Sequence, residues 1–262
     1  MNFYQAGKYF HYWCFANHQN GHGIHSPFVF DLLTNIIEDF TPFYCFSDIE
    51  NYRRKLLKNH SEIAVTDYGA GSKIQKSDKR KISEIARYSL TKPKYAQLLF
   101  RLVNHFKPEN IIELGTSLGL TSLYLAFPNS KTKVFTVEGC PEIAKIASNT
   151  HSNFIAKNIN LQIGNFQKVL PQLLNEIKTI DFAFIDGNHS YKATLENFKL
   201  LKNYSNNNSI FIFDDIYWSK EMTDAWQEIK SDNAVTLSID LFQFGIIFFM
   251  KDFKKQDFRV RF

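Results

Sequence analysis

The amino-acid sequence predicts an α/β fold in which a mostly parallel sheet is covered by helices on both faces. From about residue 107, short apolar runs alternate with amphipathic helical segments, which is typical of a parallel sheet. A glycine-containing turn lies between the first apolar run and the next helix, as in α/β proteins that bind nucleotide-like ligands. Near the C-terminus two β-rich runs follow each other without a helix, which indicates an antiparallel hairpin at one sheet edge.

The alternating part contains five predicted parallel strands, at residues 111–114, 133–137, 160–163, 180–185 and 209–213. Amphipathic segments predict the helices between and after these strands, at residues 141–149, 166–177, 191–203 and 220–229. The terminal hairpin is predicted at residues 234–241 and 245–251. Five parallel strands and this hairpin give a sheet of seven strands.

The first part of the chain is predicted to be helical. Ser26 is the expected N-cap of a helix over residues 27–38. Ser47 and Glu50 have the spacing of a capping box before a helix that runs to about residue 60. A further helix, at residues 92–106, precedes the first strand and is expected to cover the ligand.

We therefore predict two domains. Residues 1–90 form a helical N-terminal extension that acts as a substrate lid or as an interface. Residues 91–262 form the ligand-binding α/β domain.

Composition narrows the class of protein. The chain has 262 residues, of which 44% are hydrophobic and 22% charged, so a globular core is expected. No apolar run approaches the roughly 20 residues that span a bilayer, and the N-terminus lacks the pattern of a signal peptide. The three cysteines, Cys14, Cys45 and Cys140, are far apart and odd in number, which favours free thiols in the cytoplasm. The net charge of +5 permits binding to nucleic acid but does not require it.

The glycine turn is preceded by an acidic residue, at a position where a pyrophosphate-binding turn would not carry one. The segment I-I-E-L-G-T-S-L-G-L places Glu113 on the strand, then Gly115, Ser117 and Gly119 in the turn. A carboxylate at that position disfavours a pyrophosphate and favours a cationic ligand. S-adenosylmethionine (SAM) carries an ammonium and a sulfonium and no phosphate. We therefore predict that this turn binds SAM and that Glu113 holds its ammonium, directly or through water.

The ends of the next two strands supply the remaining cofactor contacts. Glu138 ends the second strand and is followed by Gly139, and a carboxylate there can accept hydrogen bonds from both ribose hydroxyls. After the third strand, Asn165 is expected to supply an amide partner to the adenine and Phe166 an apolar face. Glycine and asparagine are also ordinary turn residues, so this second assignment has a purely structural alternative.

A competing glycine turn occurs earlier, at residues 67–72, D-Y-G-A-G-S. The segment after it is polar and basic, so no apolar helix packs behind this turn. No strand that ends in an acid follows about 20 residues later, whereas Glu138 fulfils that requirement for the later turn. The earlier turn is predicted to be a tight loop or a lid over the substrate.

Acidic residues follow the fourth and fifth strands. Asp186 begins D-G-N-H-S-Y, and Asp214 and Asp215 follow the fifth strand. Adjacent parallel strands end at the same sheet edge, so the three carboxylates are expected to converge beside the transferable methyl group. Converging like charges favour a bound cation, and an all-oxygen set suits Mg²⁺ or Ca²⁺ more than zinc. A bound divalent ion would hold and acidify a substrate hydroxyl. His189 is the expected general base. The structural alternative is that the aspartates cap helices and contact SAM without a metal.

Four motifs together resemble the class I SAM-dependent methyltransferases, and among them the catechol O-methyltransferase-like group and its Mg-dependent sugar O-methyltransferase relatives. They are E-L-G-T-S-L-G, V-E-G, I-D-G-N-H-S-Y and F-D-D, within residues 94–251. The resemblance implies a Rossmann-like fold, SAM as methyl donor, Mg²⁺ on Asp186, Asp214 and Asp215, and His189 as base. Catechol-type enzymes carry a lysine directly after the metal aspartate, and here the nearest is Lys192, which argues against a catechol substrate. The N-terminal motifs resemble uncharacterised bacterial methyltransferases.

The resulting prediction is a cytoplasmic SAM-dependent O-methyltransferase that acts on a small hydroxylated molecule, assisted by a divalent metal. One alternative is an RNA (tRNA) methyltransferase, since residues 73–81 and 251–262 are basic, although solvated surface is the favoured interpretation of both tracts. Another is a SAM-binding protein without turnover that uses its N-terminus as an interface. A homodimer is also compatible with the sequence. A zinc site at Cys14, His18, His22 and His25 is disfavoured, because the spacing matches no usual pattern.

Overall fold

The computed structural model describes residues 3–16, 21, 23–66 and 79–262. The chain divides into two compact units. Unit 1 comprises Met1–Phe40 and Lys178–Phe262, and unit 2 comprises Thr41–Ile177. The boundary between the two domains that the sequence predicts, near residue 90, is untested and stays a prediction.

The elements are numbered in chain order. The helices are α1 Phe3–Phe15, α2 Pro27–Leu32, α3 Phe46–Leu57, α4 Ile82–Tyr88, α5 Pro93–Phe106, α6 Leu120–Ala126, α7 Pro141–Asn153, α8 Phe166–Ile177, α9 Tyr191–Lys202 and α10 Lys220–Ser231. The strands are β1 Glu62–Ala64, β2 Lys79–Lys81, β3 Asn110–Leu114, β4 Lys133–Glu138, β5 Ile159–Ile163, β6 Ile180–Ile185, β7 Ser205–Phe213, β8 Leu237–Asp240, β9 Gly245–Phe248 and β10 Gln256–Arg259. A π-helical segment, Leu33–Ile37, continues α2.

Unit 2 contains three parallel strands of the main sheet, in the order β3-β4-β5. Four consecutive residues of β3, Ile111 to Leu114, are fully buried, as expected for a strand covered on both faces. Helices α3 to α6 contribute to one apolar cluster that includes Phe46, Phe100 and Tyr124. β1 and β2 form a separate antiparallel pair.

A buried polar contact joins α3 to α6 within unit 2. The hydroxyl of Tyr124 donates to Glu50 at 2.7 Å, and Arg53 Nε donates to the same carboxylate at 2.9 Å. Glu50 therefore does not form the predicted capping box with Ser47. The reason is that α3 begins at Phe46, so Ser47 lies inside the helix, and Cys45 at the N-cap makes no side-chain capping bond.

Unit 1 contains the other five strands, in the order β10-β8-β9-β7-β6. β6 and β7 are parallel, whereas β9 is antiparallel to both β7 and β8. The predicted terminal hairpin is therefore present, as β8 and β9. The core of unit 1 is rich in aromatic side chains: Phe182, Phe184, Phe211, Phe213, Trp226, Phe244 and Phe248. Gly245 is required there, because a Cβ at this position would lie 2.7 Å from the Trp226 ring.

The main sheet has eight strands where seven were predicted. The additional strand is β10, which pairs in parallel with β8 and comes from the basic C-terminal tract. In D-F-R-V, residues 257–260, the polar and apolar residues alternate with the period of a strand, and Val260, just beyond β10, is fully buried. Solvated surface is the interpretation that the composition of this tract favours, and the pairing of β10 with β8 corrects it. Arg259 of this strand lies 3.4 Å from Asp240, so its charge is paired.

Other expectations agree with the structure. Ser26 caps α2 by accepting a hydrogen bond from the amide of Val29 at 3.4 Å. Helix α5 begins at Pro93, with Lys92 at its N-cap. Within the part of the chain that the structure describes, no helix is long and apolar enough to cross a membrane. The loop at residues 67–72 and the first six residues of the 73–81 basic tract lie outside the described residues.

Candidate functional site

The predicted cofactor turn joins β3 to α6 in unit 2. Three of its residues have positive φ: Gly115 at 98°, Ser117 at 49° and Gly119 at 83°. The turn is fixed to β4, because the amides of Gly115 and Thr116 both donate to the carbonyl of Val137, at 3.0 and 3.3 Å. The glycines are thus explained by backbone conformation, and the turn is held rigidly at the ends of β3 and β4.

Glu138 connects this turn to the loop after β4. Its Oε2 accepts a hydrogen bond from the Ser117 amide at 2.9 Å, and its Oε1 accepts one from the Cys140 amide at 2.9 Å. Two backbone donors therefore orient the carboxylate at the C-terminal end of the strand. Each carboxylate oxygen can accept more than one hydrogen bond, so this arrangement is compatible with a pair of ligand hydroxyls.

Glu113 lies too deep for the direct contact with a ligand ammonium that was one of the two predicted possibilities. Its side chain is fully buried, and the Ser122 hydroxyl on α6 donates to Oε2. Among the described residues, Oε1 has no hydrogen-bond partner. Burial, with a smaller contribution from the Glu138 charge, raises the pKa of Glu113 to about 7. A ligand ammonium would reach this carboxyl only through a water molecule or through its field.

The end of β5 lies beside the end of β4, because the Gly164 amide donates to the Glu138 carbonyl at 2.8 Å. Gly164 has a φ of 147°, and a Cβ there would lie 2.9 Å from Val169 Cγ2. The side chain of Asn165 accepts from the Gln167 amide at 2.9 Å, so it caps the start of α8. Phe166 and Gly139 are partly exposed. The structure therefore supports the capping role of Asn165, and its adenine contact stays a prediction.

His151 packs against the predicted cofactor turn, and no motif in the sequence indicated this position. It lies on α7 against Gly119, where a Cβ would be 2.7 Å from His151 Nε2 and 3.1 Å from the Ala147 backbone. Burial lowers the pKa of His151 to about 4, although a hydrogen bond to the Gly119 backbone opposes the shift. It occupies an apolar-periodic position of α7, with Ala144 and Ala147, and only that periodicity could have indicated it. Its neutral ring serves to pack the turn.

The predicted acidic residues come together in unit 1. Asp186 follows β6, while Asp214 and Asp215 follow the adjacent parallel strand β7. The Asp214 amide donates to the Ile185 carbonyl at 3.0 Å, which places the two strand ends side by side. Burial, and then the charges of Asp186 and Asp215, raise the pKa of Asp214 well above its usual range. The Asp215 amide donates to Asp214 Oδ1 at 2.7 Å.

His189 belongs to the same cluster. Its Nε2 lies 3.5 Å from Asp186 Oδ1, and its side chain is 26% exposed. Burial lowers the pKa of His189, although the Asp215 charge opposes this. The imidazole is therefore neutral near pH 7 and can accept a proton. The Trp218 ring lies 6.4 Å away between centroids and is 40% exposed, so it also borders the cluster.

Two residues that follow the strand ends at this cluster have uncommon backbone conformations. Asn188 has a φ of 51° and Asp215 a φ of 54°, and neither is glycine. Non-glycine residues in this region cost on the order of 1 kcal/mol and are enriched at functional sites. The surrounding structure holds them: the Trp218 amide donates to the Asp215 carbonyl at 2.8 Å, and Ser190 caps α9.

The predicted metal site is not assembled as a set of ligands. Within residues 3–16, 21, 23–66 and 79–262, no three histidines, cysteines or acids are grouped so as to hold a metal ion. The oxygen donors of Asp186, Asp214 and Asp215 have the chemistry that Mg²⁺ prefers, so a metal ion at these residues stays a prediction. The mechanism therefore contains no step through a metal. Of the disfavoured zinc ligands, His18 and His22 lie outside the described residues.

Residues 112–216 match the sequence model of a family described as a methyltransferase domain. All twelve predicted site residues lie inside this segment: Glu113, Gly115, Ser117, Gly119, Glu138, Gly139, Asn165, Phe166, Asp186, His189, Asp214 and Asp215. An uncharacterized protein of Acanthamoeba polyphaga mimivirus is 28% identical over 147 residues, which is 52% of this chain. The match spans 66% of that relative's length, just under two thirds.

Solved structures share the fold at low identity. An O-methyltransferase from Bacillus cereus, in complex with S-adenosylhomocysteine (SAH), is 17% identical with a TM-score of 0.57, over 80% of this chain and 91% of that one. The O-methyltransferase TomG from Streptomyces achromogenes, in complex with SAM, is 16% identical with a TM-score of 0.54. That match covers 62% of this chain and 82% of that one.

The fold is therefore the Rossmann-like fold of class I methyltransferases, which confirms the predicted fold class. Residues 112–216 match a methyltransferase domain, which agrees with the motifs.

Proposed function

We propose that this protein is an enzyme that transfers the methyl group of SAM to a hydroxyl oxygen of a small molecule. The observation that carries the proposal is the carboxylate of Glu138, oriented at the end of β4 by the amides of Ser117 and Cys140. A carboxylate in this position accepts hydrogen bonds from the two ribose hydroxyls of SAM. The O-methyltransferases that share the fold, one with SAH and one with SAM, support the same cofactor and acceptor atom.

The buried carboxyl of Glu113 contributes the second part of cofactor recognition. Its Oε1 has no hydrogen-bond partner among the described residues, and its pKa of about 7 allows it to ionise near neutral pH. The ammonium of SAM stabilises the ionised form by its positive charge, through a water molecule. The positive-φ turn of Gly115, Ser117 and Gly119 brings backbone, not side chains, against the methionine part.

His189 is the proposed base. In the reaction the acceptor hydroxyl loses its proton to the neutral imidazole as its oxygen attacks the sulfonium methyl group. The C–O bond forms as the C–S bond breaks, and SAH leaves with the bonding electron pair. Asp186, 3.5 Å from His189 Nε2, stabilises the imidazolium that results.

His189→Gln should lower kcat about 100-fold, because general-base catalysis contributes at least this factor. The dissociation constant of SAM should stay unchanged. Single-turnover transfer of labelled methyl groups to a panel of hydroxylated acceptors measures the first quantity, and calorimetry measures the second. An unchanged rate in the variant would show that His189 is not the general base.

The proposed function as a whole has a simpler test, which is calorimetry of the unmodified protein with SAM and with SAH. Binding of both ligands is the expected result. A protein that binds neither would overturn the proposal, and one that binds both but methylates no hydroxyl would be a SAM-binding protein without this activity.

Metal assistance stays a prediction, based on the oxygen donors of Asp186, Asp214 and Asp215. Activity that falls after exhaustive chelation and returns with Mg²⁺ is the expected outcome under that prediction. Calcium should restore less, because it is larger and binds with a less regular geometry. Full activity after chelation would show that the acidic cluster acts without a metal and only positions neighbouring groups.

A further inference from the structure

Phe242 has a backbone conformation that bulky residues rarely adopt. It lies in the turn between β8 and β9, residues 241–244, and its φ is 69°. The Phe242 amide donates to Asp240 Oδ1 at 2.9 Å, and the Leu241 amide donates to the Phe244 carbonyl at 2.8 Å. These two bonds hold the turn in this conformation. Glycine would adopt it without strain, so the phenyl ring at this position needs a further reason.

The ring of Phe242 contacts both helix α1 and the side chain of Tyr217. It stacks on the Tyr217 ring, with the centroids 5.2 Å apart and the planes at 25° to each other. From α1, the Tyr9 ring meets it edge-on at 5.0 Å, and the Tyr12 ring is tilted against it at 5.3 Å. Such ring pairs have preferred geometries, so three neighbours together fix the position of the phenyl ring.

Tyr217 is attached to the β8–β9 turn by a second contact. Its buried hydroxyl donates to Asp240 Oδ2, and Asp240 is also the residue that accepts from the Phe242 amide. Arg259 Nε lies 3.4 Å from the same carboxylate oxygen and balances its charge. Tyr217 therefore cannot move relative to this turn without losing a stacking contact and a buried hydrogen bond.

Tyr217 lies on the loop after β7, which carries the acid pair Asp214 and Asp215. The β8–β9 turn also contacts this loop directly, because the Ile216 amide donates to the Gln243 carbonyl at 3.4 Å. The side chain of Gln243 donates a hydrogen bond to Asp214. Asp215, with its φ of 54°, lies between these attachment points. The conformation of the acid pair thus depends on the position of the β8–β9 turn.

We propose that Phe242 is a positioning residue for the acidic cluster, which comprises Asp186, His189, Asp214 and Asp215. By packing on Tyr217, its ring keeps the loop after β7 in place, so that the acid pair stays beside His189. Helix α1 supports the ring and thereby contributes to turnover without supplying a residue to the cluster. The inference rests on the proposed function, in which His189 is the base.

A purely structural role for the ring, as an anchor of α1, predicts a different result. Loss of an anchor lowers the amount of folded protein, so the rate and the binding of SAM fall together. Loss of positioning lowers kcat alone, because the proposed cofactor contacts lie in unit 2 and Phe242 lies in unit 1.

The test compares three substitutions of Phe242. Phe242→Leu keeps an apolar side chain without the ring and should lower kcat about 10-fold, less than the roughly 100-fold that a 1 Å misplacement can cost. The dissociation constant of SAM should stay unchanged. Phe242→Gly relieves the backbone strain, so it should lose the same rate in a protein that remains folded. Phe242→Tyr restores the ring and should restore the rate. Phe253→Leu, which removes an aromatic contact to Phe28 in the same unit, is the matched control and should keep the full rate.

Amide hydrogen exchange gives a second readout that needs no methyl transfer. The Asp215 amide donates to Asp214 Oδ1 at 2.7 Å, and the Trp218 amide donates to the Asp215 carbonyl at 2.8 Å. Both amides should exchange about 10-fold faster in Phe242→Leu and at the original rate in Phe253→Leu. Faster exchange in a protein that methylates no hydroxyl would support the positioning role while the proposed function fails. Unchanged exchange in Phe242→Leu and Phe242→Gly, or equal losses of rate and SAM affinity, would overturn the proposal.

Discussion

Glu138→Ala should weaken SAM binding by roughly 100-fold to 10,000-fold. The variant removes two hydrogen bonds from ribose hydroxyls to a carboxylate, and each bond to a charged group contributes about 1.5–3 kcal/mol. It also releases the amides of Ser117 and Cys140, so the turn after β3 loses its connection to the loop after β4. Calorimetry with SAM and SAH should show parallel losses, because both ligands carry the same ribose.

Two further variants separate recognition from folding. Glu138→Gln keeps the size of the side chain, but its amide nitrogen would face one of the two backbone amides that now donate to it. We therefore expect an intermediate loss. Glu142→Gln, at an exposed position one turn further on, is the control for a lost negative charge. Equal affinity of Glu138→Ala and the unmodified protein, with both folded, would refute the ribose assignment.

The position of Glu138 could be predicted because it depends on local sequence alone. An apolar run that ends in an acid before a proline-initiated helix identifies a strand end, and the carboxyl ends of parallel strands form the binding edge of this fold. Asp186, Asp214 and Asp215 could be located in the same way. Their side-by-side placement in unit 1 follows from the pairing of β6 with β7, which the alternation of strands and helices implied.

Features that depend on tertiary packing could not be predicted. Whether Glu113 faces a crevice or the interior depends on which side of β3 the helix α6 covers, and the short contact from Ser122 decides this. The alternation in residues 257–260 fits a solvated basic tract as well as a strand, and only pairing with β8 distinguishes the two.

Glu113→Gln should stabilise the protein at alkaline pH and change little at acid pH. Burial raises the pKa of Glu113 from 4.5 to about 7 in the folded state. A group with a raised pKa contributes stability that is fully present below its unfolded pKa and is lost as pH rises through its folded pKa. The loss between pH 4.5 and pH 7 amounts to about 3 kcal/mol for a shift of this size. Glutamine cannot ionise, so the variant does not lose this stability as the pH rises.

Urea unfolding of the two proteins at pH 5 and at pH 8 measures the effect. The difference in the free energy of unfolding should be small at pH 5 and reach about 3 kcal/mol in favour of Glu113→Gln at pH 8. Glu176→Gln makes the same chemical change at an exposed site of unit 2 and should show no such increase. A difference that stays constant with pH would mean that Glu113 is already ionised at pH 5.

The same carboxyl should link SAM binding to proton release. Since a cationic ligand favours the ionised form, Glu113 should lose its proton when SAM binds at pH 6, below its pKa of about 7. Calorimetry in two buffers with different ionisation enthalpies should therefore show proton release for the unmodified protein and none for Glu113→Gln. SAH, which lacks the sulfonium charge but keeps the ammonium, should give the same result if the ammonium is the group that Glu113 senses. Release with SAM but not with SAH would assign Glu113 to the sulfonium instead.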